Sequence, residues 1–210
     1  MPTLRRLAPL LERLVPPIPD PSPELEQYPT PAELALRVAQ AALQAGGVDA
    51  TYADLGSGTC RLAGALALLG ARRIAALEAD CRLTSLCRES LERLGAGEAV
   101  SVVCSYIAPR STALRPGAVD VAVSNPPFGV QRRGADTSFV EYTLGVLRPS
   151  YAIFILKSGN IRYHERLAAR HGYMAGLLWR DYIAIPASMP HHRSRVRRVR
   201  VDIVGFEPAG

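Results

Sequence analysis

Leucines recur at helical spacing at Leu4, Leu7, Leu11 and Leu14, and Pro16, Pro17, Pro19, Pro21 and Pro23 then impose a stiff, extended connector. Residues 1–23 therefore read as an N-terminal leucine helix with a proline-rich connector, ahead of a single domain spanning 24–210. The domain opens at Tyr28-Pro29-Thr30-Pro31-Ala32-Glu33. Thr30 is suited to cap a helix, Pro31 to its first position and Glu33 to completing a capping box, which predicts a helix running to about Gln44. From there short apolar, β-rich runs alternate with helical patterns, the signature of βαβ units around a parallel sheet. Strands are predicted at 50–55, 73–78, 99–104, 119–124, 151–156, 176–185 and 196–206. Helices are predicted at 60–69, 81–94, 137–147 and 160–171, with Gly70, Gly95 and Gly172 as C-terminal stops. The last two strands have no helical pattern between them, so an antiparallel hairpin is expected at one end of the sheet.

Composition narrows this picture. A chain of 210 residues with 48% hydrophobic content suits one well-packed domain. No apolar run approaches the roughly 18 residues that a membrane span needs, and Arg5, Arg6, Glu12 and Arg13 interrupt the leucines of the N-terminus, which reads as neither signal peptide nor anchor. Cys60, Cys81, Cys87 and Cys104 lack any CxxC spacing and fall in segments that read as buried; they are expected to be small core residues, not disulfides or metal ligands, which points to a reducing, cytoplasmic compartment. Charge is concentrated. Of 25 basic residues only Lys157 is a lysine, and Arg193, Arg195, Arg197, Arg198 and Arg200 crowd one short stretch. Guanidinium forks match phosphate oxygens, so the strip is a candidate nucleic-acid contact; the alternative is a solvated edge strand guarded against aggregation.

Two stretches carry chemistry. The first predicted strand ends in Asp54-Leu55-Gly56-Ser57-Gly58 and passes directly into a helix, so the glycines let the backbone hug a ligand at the carboxyl end of a strand. A dinucleotide fingerprint would need glycine where Arg61 stands, which disfavours NAD and FAD. Glu78 closes the second predicted strand about twenty residues on, at the interval where a carboxylate accepts ribose hydroxyls, whereas Asp80 reads as a helix cap. The second stretch is Ser124-Asn125-Pro126-Pro127-Phe128, immediately after the fourth predicted strand. Consecutive prolines stiffen the chain and remove two donors, leaving carbonyls free to accept. The Asn125 side-chain oxygen and the Pro126 carbonyl can then take the two N–H bonds of an exocyclic amine, with the Phe128 ring stacking on the attached base. The bland reading is an Asn-Pro turn closing a strand.

Asp54 to Gly58 followed by Asn125-Pro126-Pro127-Phe128 resembles the amino-methyltransferases that modify adenine, cytosine or glutamine amides. Leu25-Glu26-Gln27-Tyr28-Pro29-Thr30, Leu156-Lys157-Ser158, Pro186-Ala187-Ser188 with His192, and Val201-Asp202-Ile203-Val204-Gly205-Phe206 are similar to the small-subunit rRNA adenine-N6 methyltransferases of eukaryotes and archaea. That resemblance, over about residues 25–206, implies an α/β class I methyltransferase fold, Rossmann-like, whose seven-stranded, mainly parallel sheet has helices on both faces and a C-terminal antiparallel hairpin. It implies S-adenosylmethionine as cofactor, with Gln27, Tyr28 and Thr30 folding over it beside Asp54, Gly56, Ser57, Gly58, Glu78, Ser105 and Asn125. Asn125, Pro126, Pro127 and Phe128 would be catalytic. Lys157, His192, Arg193, Arg195, Arg197 and Arg198 would meet substrate RNA. The resemblance also implies a small zinc-binding activator that adds a strand to the sheet; no metal site of the chain's own is implied.

Two positions depart from the family pattern. Cys60 stands where a third glycine is usual, and Ser105 where an acidic residue commonly faces the cofactor adenine; losing that charged hydrogen bond is expected to weaken binding by roughly 1–2 kcal/mol. Two other functions compete. A protein-glutamine N5-methyltransferase would present a planar amide to a similar pocket, but such enzymes usually carry tyrosine in place of Phe128 and a sizeable N-terminal substrate domain, for which residues 1–23 are too short. A catalytically silent RNA-binding module would have no use for an intact amine clamp.

Overall fold

A computed structural model of the chain describes residues 4–22, 24–129, 131, 134–186 and 196–210. The elements are α1 (Leu4–Leu14), α2 (Ala32–Gly46), β1 (Thr51–Leu55), α3 (Arg61–Leu68), β2 (Arg73–Glu78), α4 (Cys81–Arg93), β3 (Val100–Cys104), β4 (Val121–Ser124), α5 (Ala135–Glu141), β5 (Tyr151–Lys157), α6 (Ile161–Arg170), β6 (Tyr173–Pro186) and β7 (Val196–Pro208). A π-helical turn, Tyr142–Leu147, extends α5. The strands form one sheet in the order β3-β2-β1-β4-β5-β7-β6, parallel except where β7 enters antiparallel between β5 and β6. This is the class I methyltransferase arrangement expected above. All seven strands fall where the alternation places them, the largest shift being the earlier start of β6 at Tyr173.

Period decides burial. β5 is buried at every position from Ala152 to Leu156 because helices cover both faces of the sheet. One apolar cluster joins α1, α2 and α3 to one face through Leu11, Leu36, Leu66 and Ile153. The other joins the α5 region and α6 to the opposite face through Tyr142, Leu147, Phe154 and Leu167. Leu7, Leu11 and Val15 are buried in the first cluster, so the N-terminal helix shares its core with α2 and α3. Gly70, Gly95 and Gly172 all adopt left-handed backbone at the predicted stops. Among the described residues no helix is long and apolar enough to cross a membrane.

Two local expectations are corrected. Pro31, not Thr30, is the N-cap of α2, and no side chain caps it, because Thr30 is engaged elsewhere. The cysteines are paired, Cys60 with Cys87 and Cys81 with Cys104. The spacing along the chain carried no hint of this, since packing of successive βα units brings each pair to a Cα–Cα distance of 5.2 Å. The first pair is buried between α3 and α4, whereas the second ties the start of α4 to the exposed end of β3.

Closing loops with sequence separations of 27 and 23 residues is expected to stabilise the fold by roughly 3–4 kcal/mol per bridge. Chemical denaturation of Cys81→Ser/Cys104→Ser against the unmodified chain should show that loss without reductant and none with it. Alkylation of the unfolded, unreduced protein should label no cysteine; four labels would sink the pairing.

Candidate active site

The sheet order reverses between β1 and β4, and a cavity of about 310 Å³ opens at the carboxyl ends of the strands, where such a crossover leaves a crevice. Its floor is the turn after β1. Gly56 and Gly58 take φ of 76° and 55°, conformations that glycine adopts without penalty, and a Cβ on Gly56 would lie 3.0 Å from the Phe139 ring. The amides of Gly56 and Ser57 donate to the Leu77 carbonyl at 2.8 and 2.9 Å, which fixes the turn against β2. Cys60 follows with φ of 69°, which explains why glycine is usual there: a side chain in this region costs on the order of 1 kcal/mol.

Three carboxylates surround this turn. Asp54 is fully buried; its Oδ2 accepts from the Ala63 amide at 2.9 Å and its Oδ1 has no partner among the described residues. Burial, reinforced by the charge of Glu78, lifts its pKa from 3.8 to about 7. Glu78 accepts from the Gly58 amide at 2.7 Å and the Asp80 amide at 2.8 Å, and burial raises its pKa while those amides oppose the rise. Asp80 caps α4 as expected, and the Arg82 guanidinium, with Gln27 helping, holds its carboxyl below the usual range.

The segment before α2 folds over the cavity. Gln27 accepts from the Ser22 amide at 2.7 Å and donates to Asp80 at 3.1 Å. Tyr28 donates its hydroxyl to the Pro126 carbonyl at 3.2 Å, and its ring packs on Phe128 with centroids 4.8 Å apart. Burial pushes its phenol well above the ordinary value. Thr30 accepts from Asn125 Nδ2 at 2.9 Å through its hydroxyl, and from Arg61 Nη1 at 3.0 Å through its carbonyl. Among the described residues the Asn125 Oδ1 is buried with no partner.

Gln27, Tyr28, Thr30, Asp54, Gly56, Ser57, Gly58, Glu78, Asn125 and Pro127 all line this one cavity. Pro126 and Phe128 flank it without lining it; Phe128 is buried against Tyr28. Ser105 sits outside the lining and turns its hydroxyl to the Tyr106 carbonyl at 3.2 Å. Lys157 ends β5 exposed, level with Val201. Arg198 is exposed on β7 and lies over the Tyr182 ring at 4.9 Å. Arg197 pairs with Ile185 in the sheet, and its side chain lies outside the described residues, as do His192, Arg193 and Arg195.

Sequence reasoning missed Ile18, Tyr106, Phe139 and Arg61, all of which line the cavity. None carries a local signal: Ile18 lies in a proline connector, Phe139 within a helix, and Arg61 looks like an ordinary surface arginine at a helix start. The set suits a ribose-bearing cofactor with a cationic group. Glu78 stands at the ribose interval, and the unpartnered Asp54 Oδ1 and Ser57 Oγ are buried acceptors that such a ligand would satisfy.

The fold and this crevice are those of class I S-adenosylmethionine-dependent methyltransferases. The profile of the methyltransferase small-domain family matches residues 34–178, and the chain belongs to that family. It is 26% identical over 196 residues to the Caenorhabditis elegans rRNA N(6)-adenosine-methyltransferase metl-5, covering 89% of this chain and 90% of that one. A Methanocaldococcus jannaschii protein without assigned function, MJ0284, is also 26% identical, with 91% and 89% covered. Among solved structures, Pyrococcus horikoshii PH1948, described as a candidate RNA methyltransferase, superposes with a TM-score of 0.86 over the whole of both chains at 27% identity. Family and fold imply S-adenosylmethionine as methyl donor.

Because the folded chain holds the Asp54 proton that the unfolded chain releases, stability should fall as pH rises from 3.8 towards about 7 and level off above. Urea titrations across that window should show a flatter profile for Asp54→Asn; parallel profiles would mean that Asp54 is ionised throughout.

Proposed function

We propose that the protein methylates N6 of adenine in structured RNA, with small-subunit ribosomal RNA as the substrate. The observation that carries the reading is the Asn125 amide: its nitrogen is pinned by Thr30 and its oxygen is buried without a partner among the described residues. An N6 amine is a poor nucleophile because its lone pair is delocalised into the ring. Accepting its two N–H bonds on Asn125 Oδ1 and on the Pro126 carbonyl favours a pyramidal nitrogen and aims the lone pair. The Pro126 carbonyl already accepts from Tyr28 and keeps a second lone pair for the substrate. S-adenosylmethionine, when bound, supplies an electrophilic methyl group. The amine proton leaves to solvent after transfer, so Asn125 need not act as a base.

RNA as the substrate class draws support from the hairpin. Beyond the Lys157–Val201 pair, β6 and β7 continue for about five residues, some 16 Å, past the carboxyl end of β5. Arg198 and Arg200 are exposed there, and Tyr182 lies opposite Arg200. The names of the worm enzyme and of the Pyrococcus protein point the same way. An adenine in a loop or single strand fits best, since its amine must leave the stack to reach Asn125.

The test is to incubate the protein, with and without a zinc-binding activator of the kind the resemblance implies, with unmodified ribosomal RNA and methyl-labelled S-adenosylmethionine, and to identify the labelled nucleoside. N6-methyladenosine at one stoichiometric site is expected; label on a release-factor glutamine instead would overturn the reading. Asn125→Ala should cost about 10²–10³ in turnover while S-adenosylhomocysteine binds within about threefold of the unmodified protein. Arg198→Ala and Arg200→Ala should each raise KM for RNA and reduce the slope of log affinity against log salt by about 1, leaving kcat unchanged. An unchanged salt slope would remove the hairpin from the RNA surface.

A further inference from the structure

We infer that Arg61 is a positioning residue for the amine clamp, through which the N-terminal helix holds the Asn125 amide in place against Thr30. The inference rests on the reading of Asn125 as the amine acceptor. Arg61 is 4% exposed, and its guanidinium makes five hydrogen bonds. Nε and Nη2 donate to the Val15 carbonyl at 3.1 and 3.0 Å, Nη1 and Nη2 to the Glu12 carboxylate at 2.9 and 2.8 Å, and Nη1 to the Thr30 carbonyl at 3.0 Å. That equals the donor capacity of the fork. A second tie runs from the same turn, where the Thr59 hydroxyl donates to the Pro16 carbonyl at 2.9 Å.

An ion pair with Glu12 alone would be a packing device. The bond to Thr30 makes it more, because Thr30 is the residue whose hydroxyl takes the Asn125 Nδ2. The two ends of an amide are nearly equal in shape and opposite in polarity. With Nδ2 on Thr30, Oδ1 is left to accept; turned over, the amide would present a donor to the substrate's own N–H bonds. Thr30 therefore anchors the amide in the productive orientation, and Arg61 fixes the Thr30 backbone from the first residue of α3. Glu12 and Val15 place α1 and its end at the far side of the same guanidinium, so docking of the helix and placement of the amide are coupled.

Turnover, S-adenosylhomocysteine affinity by calorimetry and the side-chain amide resonances of Asn125 are to be measured for Arg61→Met, Thr30→Val, Thr30→Ser, Glu12→Gln and the Arg61→Met/Thr30→Val double variant. Arg61→Met and Thr30→Val should each lower kcat by roughly tenfold with affinity changed less than about threefold, and the double variant should be no slower than the worse single. Thr30→Ser should keep kcat close to the unmodified value. If Arg61→Met does not fold, Glu12→Gln, at a half-exposed partner, should still move the Asn125 resonances towards their Thr30→Val positions. Multiplying effects in the double variant, losses confined to melting temperature, or resonances that Glu12→Gln leaves in place would overturn the coupling. Full turnover in Asn125→Ala would instead remove the amine clamp itself, whereas an inactive Asn125→Ala beside a fully active Arg61→Met would remove only the role of Arg61.

Discussion

Between Leu55 and Arg61 the chain must turn from strand into helix while its amides stay directed at neighbours, and most of the crevice depends on how that turn is held. Gly56 and Ser57 are bonded to β2, Gly58 to Glu78, and Asp54 reaches across the turn to Ala63. These bonds use acceptors on two strands and a donor on a helix, so the position of Glu78 relative to the glycines is set by the turn itself and not by the length of the intervening helix. Buried carboxylates are costly unless hydrogen-bonded, which is why each of the three around the turn takes backbone amides.

The same turn organises the N-terminal segment. Helix α1, the proline connector and the strap through Thr30 are distant in sequence from β1, yet all three attach to side chains between Thr59 and Arg61. The strap then reaches the loop after β4 at two places: Tyr28 on Pro126 and Thr30 on Asn125. Glu26 adds a contact with the Gln131 amide at 2.6 Å. The glycine turn, the strap and the loop after β4 thus form one connected network.

Alternating apolar runs made the strands legible, because a sheet covered on both faces needs unbroken apolar segments that few other structures use. The glycine turn, Glu78 and Asn125-Pro126-Pro127-Phe128 were legible for a related reason: each is a short motif whose chemistry is local. What stayed hidden was tertiary. Thr30 has the local features of a cap, but a buried amide and a guanidinium outbid the helix for its polar atoms. Cys60 and Cys87 look like small core residues because they are that as well as bonded to each other. Arg61 was noted only as the wrong residue for a dinucleotide site, since nothing near it in sequence tells that four acceptor oxygens from two distant segments converge on it.

The placement of β7 bears on how the protein is made. Among the described residues β6 pairs with β7 alone, and β5 has no partner on that side until β7 arrives. While the chain emerges from a ribosome, five parallel strands can assemble in turn, but β6 must wait as an unattached ribbon and β5 as an open edge. β7, translated after both, slides between them, closing the edge and fastening the ribbon in one step. Synthesis thus leaves the half-made sheet with a sticky border until β7 emerges, and a nascent chain stalled before β7 is the form most exposed to mispairing.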